Sequence, residues 1–558
     1  MSYDAPELVE PTYPLPAPTP DADGVLSVSA PVSPKEITTR PSVPVPPPDA
    51  MPVIVVPGIM GTNLRATSDP AKPKNGELKP GEAAWQPPNG QIDKAKIWTR
   101  WRGKTAKQRQ KIFDAPTLEV DDRGEIDLGV NPNNYVIDSK IARQRGWGKV
   151  HWDSYGKLLV HLQQDLNKPF VPSQGKTVPA PNWVSANYVD RAHWGCTKQD
   201  EMAPLEREDL AALARFNHPV YAFGYNWLES CENAALALKE FIAAVRAEWD
   251  RPNHPCRPVV LVTHSMGGLV ARACAKMAPE SIAGVVHAVM PAIGAPAAYR
   301  RIACGVEGDA PGIHPIDNSI RGCFAEIVGR STDLTTPVMA VAPGPLELLP
   351  NHLYPGPWLF AAIKREDGER SQLLRLPTGN PYDLYGDTKA WYRMIDLALV
   401  DPAKKFGSVQ EIEKSLTRAI DQAERFHTKV LGDYYHPNTY VFYGADKAGL
   451  SFGSCTWIAE HAGDAVSSKL VANGRLRGRP VPDVREVELE GGKTLRFRHA
   501  HQDVNGDGTV PEQSGAAPQG KVKRIFRTKG YEHQECFNQR EMLFLTLHLV
   551  ARIIQKVQ

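Results

Sequence analysis

Val259-Val260-Leu261-Val262-Thr263-His264-Ser265-Met266-Gly267-Gly268-Leu269-Val270-Ala271 is the stretch on which the reading of this chain turns. A run of β-branched and aliphatic residues reads as a strand buried on both faces. It runs straight into Ser265, small residues follow, and a helix begins at once. That is the context of a nucleophile elbow, a strained turn that lifts a serine to the N-terminus of a helix. The free N–H groups and positive dipole end found there favour an oxyanion formed in acyl transfer. The usual G-x-S-x-G has Thr263 at its first small position. The alternative, a buried structural serine ahead of a helix, lacks a reason for so abrupt a junction.

Working outward, similar apolar runs recur at Pro52 to Val56, Val220 to Tyr225, Val285 to Met290, Thr439 to Tyr443 and Val522 to Phe526. Helical patterns lie between or after them at 230–249, 266–278 and 535–556, the last with Met542, Leu545, Leu549 and Ile553 on one face. Strands alternating with helices predict a mostly parallel sheet covered on both sides, an α/β fold. After the first run, Pro57-Gly58-Ile59-Met60-Gly61-Thr62 supplies a glycine-containing turn able to bring main-chain N–H groups to the serine. The expected oxyanion donors are the amides of Ile59 and Met266.

A base and an acid are expected further on. His533, in Gly530-Tyr531-Glu532-His533, falls between the last strand and the last helix, the position such a fold gives its general base. Asp507, in Asp503-Val504-Asn505-Gly506-Asp507-Gly508-Thr509, is the favoured acid, with Asp446 the alternative and otherwise a turn former. The 503–508 segment resembles the first half of a calcium loop, but the twelfth position is Ser514 and not glutamate, so no metal site is assigned.

Two long excursions interrupt the rhythm, about 62–216 and 297–438, and both are expected to be structured insertions. The first is rich in tryptophan. It also carries Lys94 to Lys111, with eight Lys or Arg, no acid, and Trp98 and Trp101; this reads as a solvated basic face or a contact for anionic lipid headgroups. In the second, 338–363 is apolar and broken by proline, and is expected to fold over the Ser265 groove as a lid that opens at a lipid surface. A helix is expected to start at Ser408, whose spacing to Glu411 is that of a capping box. Residues 1–49 hold 13 of the 50 prolines and read as a disordered tail. The division expected is therefore a tail to 49, a core from 50 to 296, a cap from 297 to 438, and the rest of the core from 439 to 558.

Composition excludes other classes. With 65 Lys and Arg against 63 Asp and Glu, no charge signature of a nucleic-acid binder exists. No window approaches the run of about 18 apolar residues that a bilayer span needs, and a soluble chain is expected. The eight cysteines form no C-x-x-C pair, which removes a zinc cluster or disulfide scaffold. The start, Met-Ser-Tyr-Asp-Ala-Pro-Glu, is neither basic nor followed by an apolar run, so the expected location is the cytoplasm as synthesised, or export by a route without a cleaved signal.

PGIMGTNL (57–64), Tyr225-Asn226-Trp227, THSMGGLVAR (263–272), PAIGAP (291–296), Leu346-Glu347-Leu348-Leu349-Pro350, GDGTVP (506–511) and EHQECF (532–537) together resemble the lecithin:cholesterol acyltransferase and lysosomal phospholipase A2 group. GPI inositol-deacylases and bacterial type VI secretion lipase effectors are similar. The resemblance implies an α/β-hydrolase with a large inserted cap, a Ser265-Asp507-His533 triad, and Ile59 and Met266 as oxyanion amides. It implies a lipid or phospholipid substrate, a peripheral membrane surface, no cofactor and, on the effector reading, a secretion machine or an immunity protein as partner. The rivals are an acyltransferase of the same fold and a non-catalytic scaffold.

Overall fold

The computed structural model describes residues 17–29, 42–89, 99–129, 137–173, 176–196, 202–307, 325–365, 368–460 and 466–557. The expected strands form one sheet: β1 (Val53–Val56), β2 (Val220–Ala222), β3 (Val259–His264), β4 (Ile282–Ala288), β5 (Thr439–Gly444) and β6 (Arg524–Thr528). They lie in the order β2-β1-β3-β4-β5-β6, and each adjacent pair is parallel. The direction of winding reverses between β1 and β3, so a crevice opens beyond their carboxyl ends, where open α/β sheets bind ligands. Pro57 and Ser265 follow those two ends.

The principal helices are α1 (Trp152–Asn167), α2 (Cys231–Trp249), α3 (Gly267–Met277), α4 (Pro296–Cys304), α5 (Thr332–Met339), α6 (Val409–Arg425) and α7 (Arg540–Ile554). Strand alternation divides the core into two layers. Ile54, Val56, Val259 and Leu261 pack with Leu238 and Ile242 of α2 and Leu269 and Val270 of α3. Val53, Val55, Val260 and Val262 pack on the other side with Tyr155 and Leu159 of α1 and Leu545 and Leu549 of α7. Each such side chain contributes about 1.5–3 kcal/mol by leaving water, which fixes the face each helix covers. Helix α6 starts where expected: Ser408 Oγ accepts the Glu411 N–H at 3.2 Å, while the Glu411 carboxylate accepts from Gly407, one residue earlier than a capping box requires.

The tryptophans of the first insertion explain its fold. Trp85 and Trp101 enter the α2 and α3 layer with Phe113, and Trp147, Trp183 and Trp194 enter the α1 and α7 layer, all buried. The insertion thus thickens both faces of the sheet.

Four expectations change. Within 1–49, Thr19–Pro20, Leu26–Ser29 and Ser42–Pro44 form a small antiparallel sheet, and buried Asp23 accepts from Nε and Nη2 of Arg207. Val25 packs on the core, which gives this part of the tail an anchor that composition conceals. Of the Lys94 to Lys111 stretch, 94–98, including Trp98, lies outside the described residues. Trp101 stacks on Phe113 at 5.2 Å, and Arg109 is buried against the carbonyls of Glu326, Ile327 and Trp101, so these two face inward.

The apolar 338–363 segment is built into the core, and Met339, Pro345 and Leu348 within it line the groove at Ser265. Val338, Leu346 and Leu349 are buried, and Leu359–Lys364 is a strand paired on both sides. Its partners are Arg370–Leu376 and Cys455–Glu460, within a second sheet of six strands completed by Thr494–His499, Val484–Glu488 and Arg475–Val481. The strands Cys455–Glu460, Arg475–Val481, Val484–Glu488 and Thr494–His499 therefore join the second insertion, although sequence order alone groups them with the core. Among the described residues no helix is long and apolar enough to cross a membrane.

Candidate active site

Two residues, Ser265 and Met266, separate the end of β3 from the start of α3. So tight a turn puts Ser265 at φ +51°, a left-handed conformation that a non-glycine residue adopts at a cost of order 1–3 kcal/mol. The strain is held by neighbours: the Ser265 N–H donates to Ala288 O at 2.9 Å, and Val289, next along that chain, is itself at φ +48°. Close approach of the β1 end demands the glycines. A Cβ on Gly267 would lie 2.4 Å from Pro57 O, and one on Gly58 would lie 2.9 Å from Ser265 Cβ. Thr263, where the pattern usually has glycine, turns its hydroxyl to His287 Nδ1 at 2.8 Å on β4.

His533 opens a short 3-10 turn, His533–Asn538, between β6 and α7. Its Nε2 lies 2.8 Å from Ser265 Oγ and its Nδ1 2.7 Å from Asp507 Oδ2. The carboxylate accepts from Nδ1–H, so the Nε2 lone pair faces the serine hydroxyl. The other Asp507 oxygen accepts the N–H groups of Thr509 at 3.0 Å and Val510 at 2.8 Å, which fixes the carboxylate plane. Ser265, Asp507 and His533 are thus brought together, and all three are buried.

Asp446 is not part of this cluster. Its carboxylate accepts from Ala448 and Gly530, both at 2.9 Å, and so braces the loop ahead of His533. The residues of the calcium-loop likeness point apart. Asp503 caps the Gly453-Ser454 turn, Asn505 donates to Glu512, and Asp507 faces His533.

The loop after β1 is pinned by aromatic side chains. Gly58 N–H donates to Tyr155 Oη at 3.0 Å, Tyr225 Oη donates to Pro57 O at 3.0 Å, and Trp85 Nε1 donates to Met60 O at 2.7 Å. Met60 adopts φ +63° to complete the turn. Among the described residues no acceptor takes the amide of Ile59 or of Met266. These two amides are the ones expected to serve an oxyanion.

A groove of about 200 Å³ opens on Ser265 and His533. Its walls are chiefly apolar, with Ile302, Val328, Met339 and Leu348 among them, so α4, α5 and the segment after α5 supply one side. Its polar lining includes Arg301, which donates to Glu307 at 3.0 Å and to Thr509 Oγ1 at 3.2 Å. Burial by itself would raise the Glu307 pKa, yet Arg301 and Arg300 outweigh it and bring it down to about 2.

Sequence reasoning missed Tyr155, His264, Tyr225 as a loop clamp, and the Thr263–His287 pair. His264 was visible only as the neighbour of Ser265. Tyr155 lies in an insertion whose spacing carries no motif, and only the packing of α1 against the sheet brings it to Gly58.

The fold is that of an α/β-hydrolase, with Ser265, His533 and Asp507 in line at the carboxyl end of its sheet. The family model for the PGAP1-like alpha/beta domain matches residues 216–305, which span β2 to α4 and include Ser265. A chain of the solved Tle4-Tli4 complex is similar over nearly its full length, with 28% identity, a TM-score of 0.71, and coverage of 91% of this chain and 99% of that one. Phospholipase PlaB from Legionella pneumophila aligns at 12% identity and a TM-score of 0.15, over 55% of this chain and 85% of that one. No curated protein matches the chain.

Proposed function

We propose that the protein is a serine hydrolase of lipid carboxylic esters, a lipase or phospholipase. The observation that carries this reading is the unbroken line from Asp507 Oδ2 through His533 to Ser265 Oγ, with gaps of 2.7 and 2.8 Å, at an apolar groove. In the proposed reaction His533 Nε2 takes the Ser265 proton as Oγ attacks the ester carbonyl. Asp507 holds the imidazole and stabilises its charged form, and the Ile59 and Met266 amides receive the oxyanion. The protonated His533 then gives its proton to the departing alkoxide. Water, deprotonated by the same nitrogen, releases the acyl group, and no cofactor takes part.

The apolar walls favour an acyl chain over a polar substrate. The likeness over nearly the full length to a chain solved in a complex supports a further proposal, that this protein is an effector with a dedicated immunity protein as partner, reaching lipid at a membrane surface. The test is labelling by a fluorophosphonate together with hydrolysis of a short-chain p-nitrophenyl ester. The parent should be labelled and active. Ser265→Ala should lose the label and several orders of magnitude in rate while remaining folded. Labelling that persists in Ser265→Ala would place the nucleophile elsewhere.

A further inference from the structure

Three loops must keep register for the proposed chemistry: the one after β1 that presents the Ile59 amide, the elbow at Ser265, and the turn that carries His533. Two side chains connect all three. Tyr155 Oη lies 3.0 Å from Gly58 N and 3.0 Å from His264 Nδ1, and His264 Nε2 lies 2.9 Å from the main-chain carbonyl of His533.

The direction of every bond follows from its ends. The Gly58 N–H can only donate and the His533 carbonyl can only accept, so His264 carries its hydrogen on Nε2. A neutral imidazole then offers a lone pair at Nδ1, to which Tyr155 donates, keeping an oxygen lone pair for Gly58. His264 stays neutral because burial, reinforced by neighbouring His533, pushes it down to about 3. Tyr155 stays a phenol because burial raises it well above its ordinary range. No donor faces a donor anywhere in the chain. The site has no slack for another arrangement: a Cβ on Gly61 would meet Tyr155 Oη at 2.6 Å, and one on Gly58 would meet His264 Nδ1 at 2.8 Å.

We infer that Tyr155 and His264 are positioning residues for the hydrolase reaction, a directed hydrogen-bond chain that sets the oxyanion loop, the nucleophile and the base at fixed mutual distances. This inference rests on the hydrolase reading above. It gives the first insertion a task that its tryptophan-rich composition does not reveal: α1 delivers a hydroxyl group to the active-site framework. Neither residue lines the groove. Their effect falls on the geometry of the transition state, where a displacement of about 1 Å costs on the order of a hundredfold in rate.

The test is kcat and KM per fluorophosphonate-titrated site for Tyr155→Phe, His264→Gln and the double variant. Tyr155→Phe keeps the ring and removes the hydroxyl, and should lower kcat about 10- to 100-fold with KM changed by less than about twofold. His264→Gln brings an amide N–H near the Nε2 position but loses the Nδ1 acceptor. Adding Tyr155→Phe to it should then cost less than about a further twofold, because one chain cannot be cut twice. A purely structural role would lower the thermal midpoint and the fraction of titratable sites while sparing kcat per site.

Parental kcat per titrated site in Tyr155→Phe, or two losses that multiply in the double variant, would overturn the inference. Should Tyr155→Phe not fold, His264→Asn, which keeps an acceptor near Nδ1 and loses the donor to His533, is read by the same criterion: a 10- to 100-fold loss supports the chain and parental kcat overturns it. Ser265→Ala run alongside separates the two claims, since label retained there removes the hydrolase reading whatever Tyr155 does.

Discussion

Asp507 holds His533 twice, through its carboxylate to Nδ1 at 2.7 Å and through its main-chain carbonyl to the His533 N–H at 2.9 Å. The side-chain bond orients the imidazole, and the main-chain bond fixes the start of the turn that carries it. Replacing the carboxylate by an amide leaves the second bond and destroys the first. Asp507→Asn should therefore fold normally and lose on the order of ten-thousandfold in kcat. Asp446→Asn removes at most one of two loop contacts and should cost about 1 kcal/mol of stability with less than about a fivefold change in kcat. The two variants assayed together by ester hydrolysis and urea denaturation check the ranking, and the reverse order would make Asp446 the acid.

Gly267 and Gly268 stand side by side yet should respond differently to a methyl group. At Gly267 the added Cβ meets main-chain oxygens of Pro57 and Val56 at 2.4 and 2.5 Å, which cannot yield without moving β1 from α3. At Gly268 it meets Met290 side-chain atoms at 2.6 to 2.9 Å, a flexible neighbour. Gly267→Ala should cost about 3 kcal/mol and at least about a hundredfold in activity, whereas Gly268→Ala should cost about 1 kcal/mol. Denaturant midpoints and fluorophosphonate labelling rates measure both.

Glu347 links the segment after α5 to the start of α2, accepting from Ser230 Oγ and from the Cys231 N–H, both at 2.7 Å. Burial raises its pKa from 4.5 to about 7, against the lowering effect of those two donors. Between these values the folded chain holds a proton that the unfolded chain has released, so stability falls as pH rises across the window from 4.5 to about 7. The change is on the order of 3 kcal/mol. Glu347→Gln cannot titrate, and its stability profile should be flatter by that amount. Urea denaturation of both proteins at pH 5 and pH 8 gives the comparison, and parallel profiles would reject the assignment.

Thr263 and His287 form a buried polar pair within the sheet, 2.8 Å apart. Restoring the customary glycine would strand His287 Nδ1 and loosen β3. Thr263→Gly should cost about 2–4 kcal/mol, while Thr263→Ser, which keeps the hydroxyl, should cost less than about 1.5 kcal/mol. Equal losses in the two variants would mean that the hydroxyl contributes nothing.

The hydrolase sheet was legible because its strands are short, apolar on both faces, and bounded by turn residues, so a local pattern encodes them. Ser265 was legible for the same reason, since strand, turn and helix are contiguous in the chain. Asp507 and His533 were legible as candidates through their place in a topology that the strand order imposes. Only the tertiary structure shows which of the two carboxylates reaches the imidazole, because neither local sequence encodes the distance that packing sets between Asp507 and His533. It also showed which surface buries the apolar 338–363 segment, since hydrophobicity demands burial without naming the surface that provides it: Leu359–Lys364 pairs with Arg370–Leu376 close by and with Cys455–Glu460, about a hundred residues on. Tyr155 and the anchored part of the N-terminal tail escaped the sequence for one physical reason. A hydrogen bond or ion pair between segments far apart in the chain leaves no periodicity in either, and exists only once packing has brought the two together.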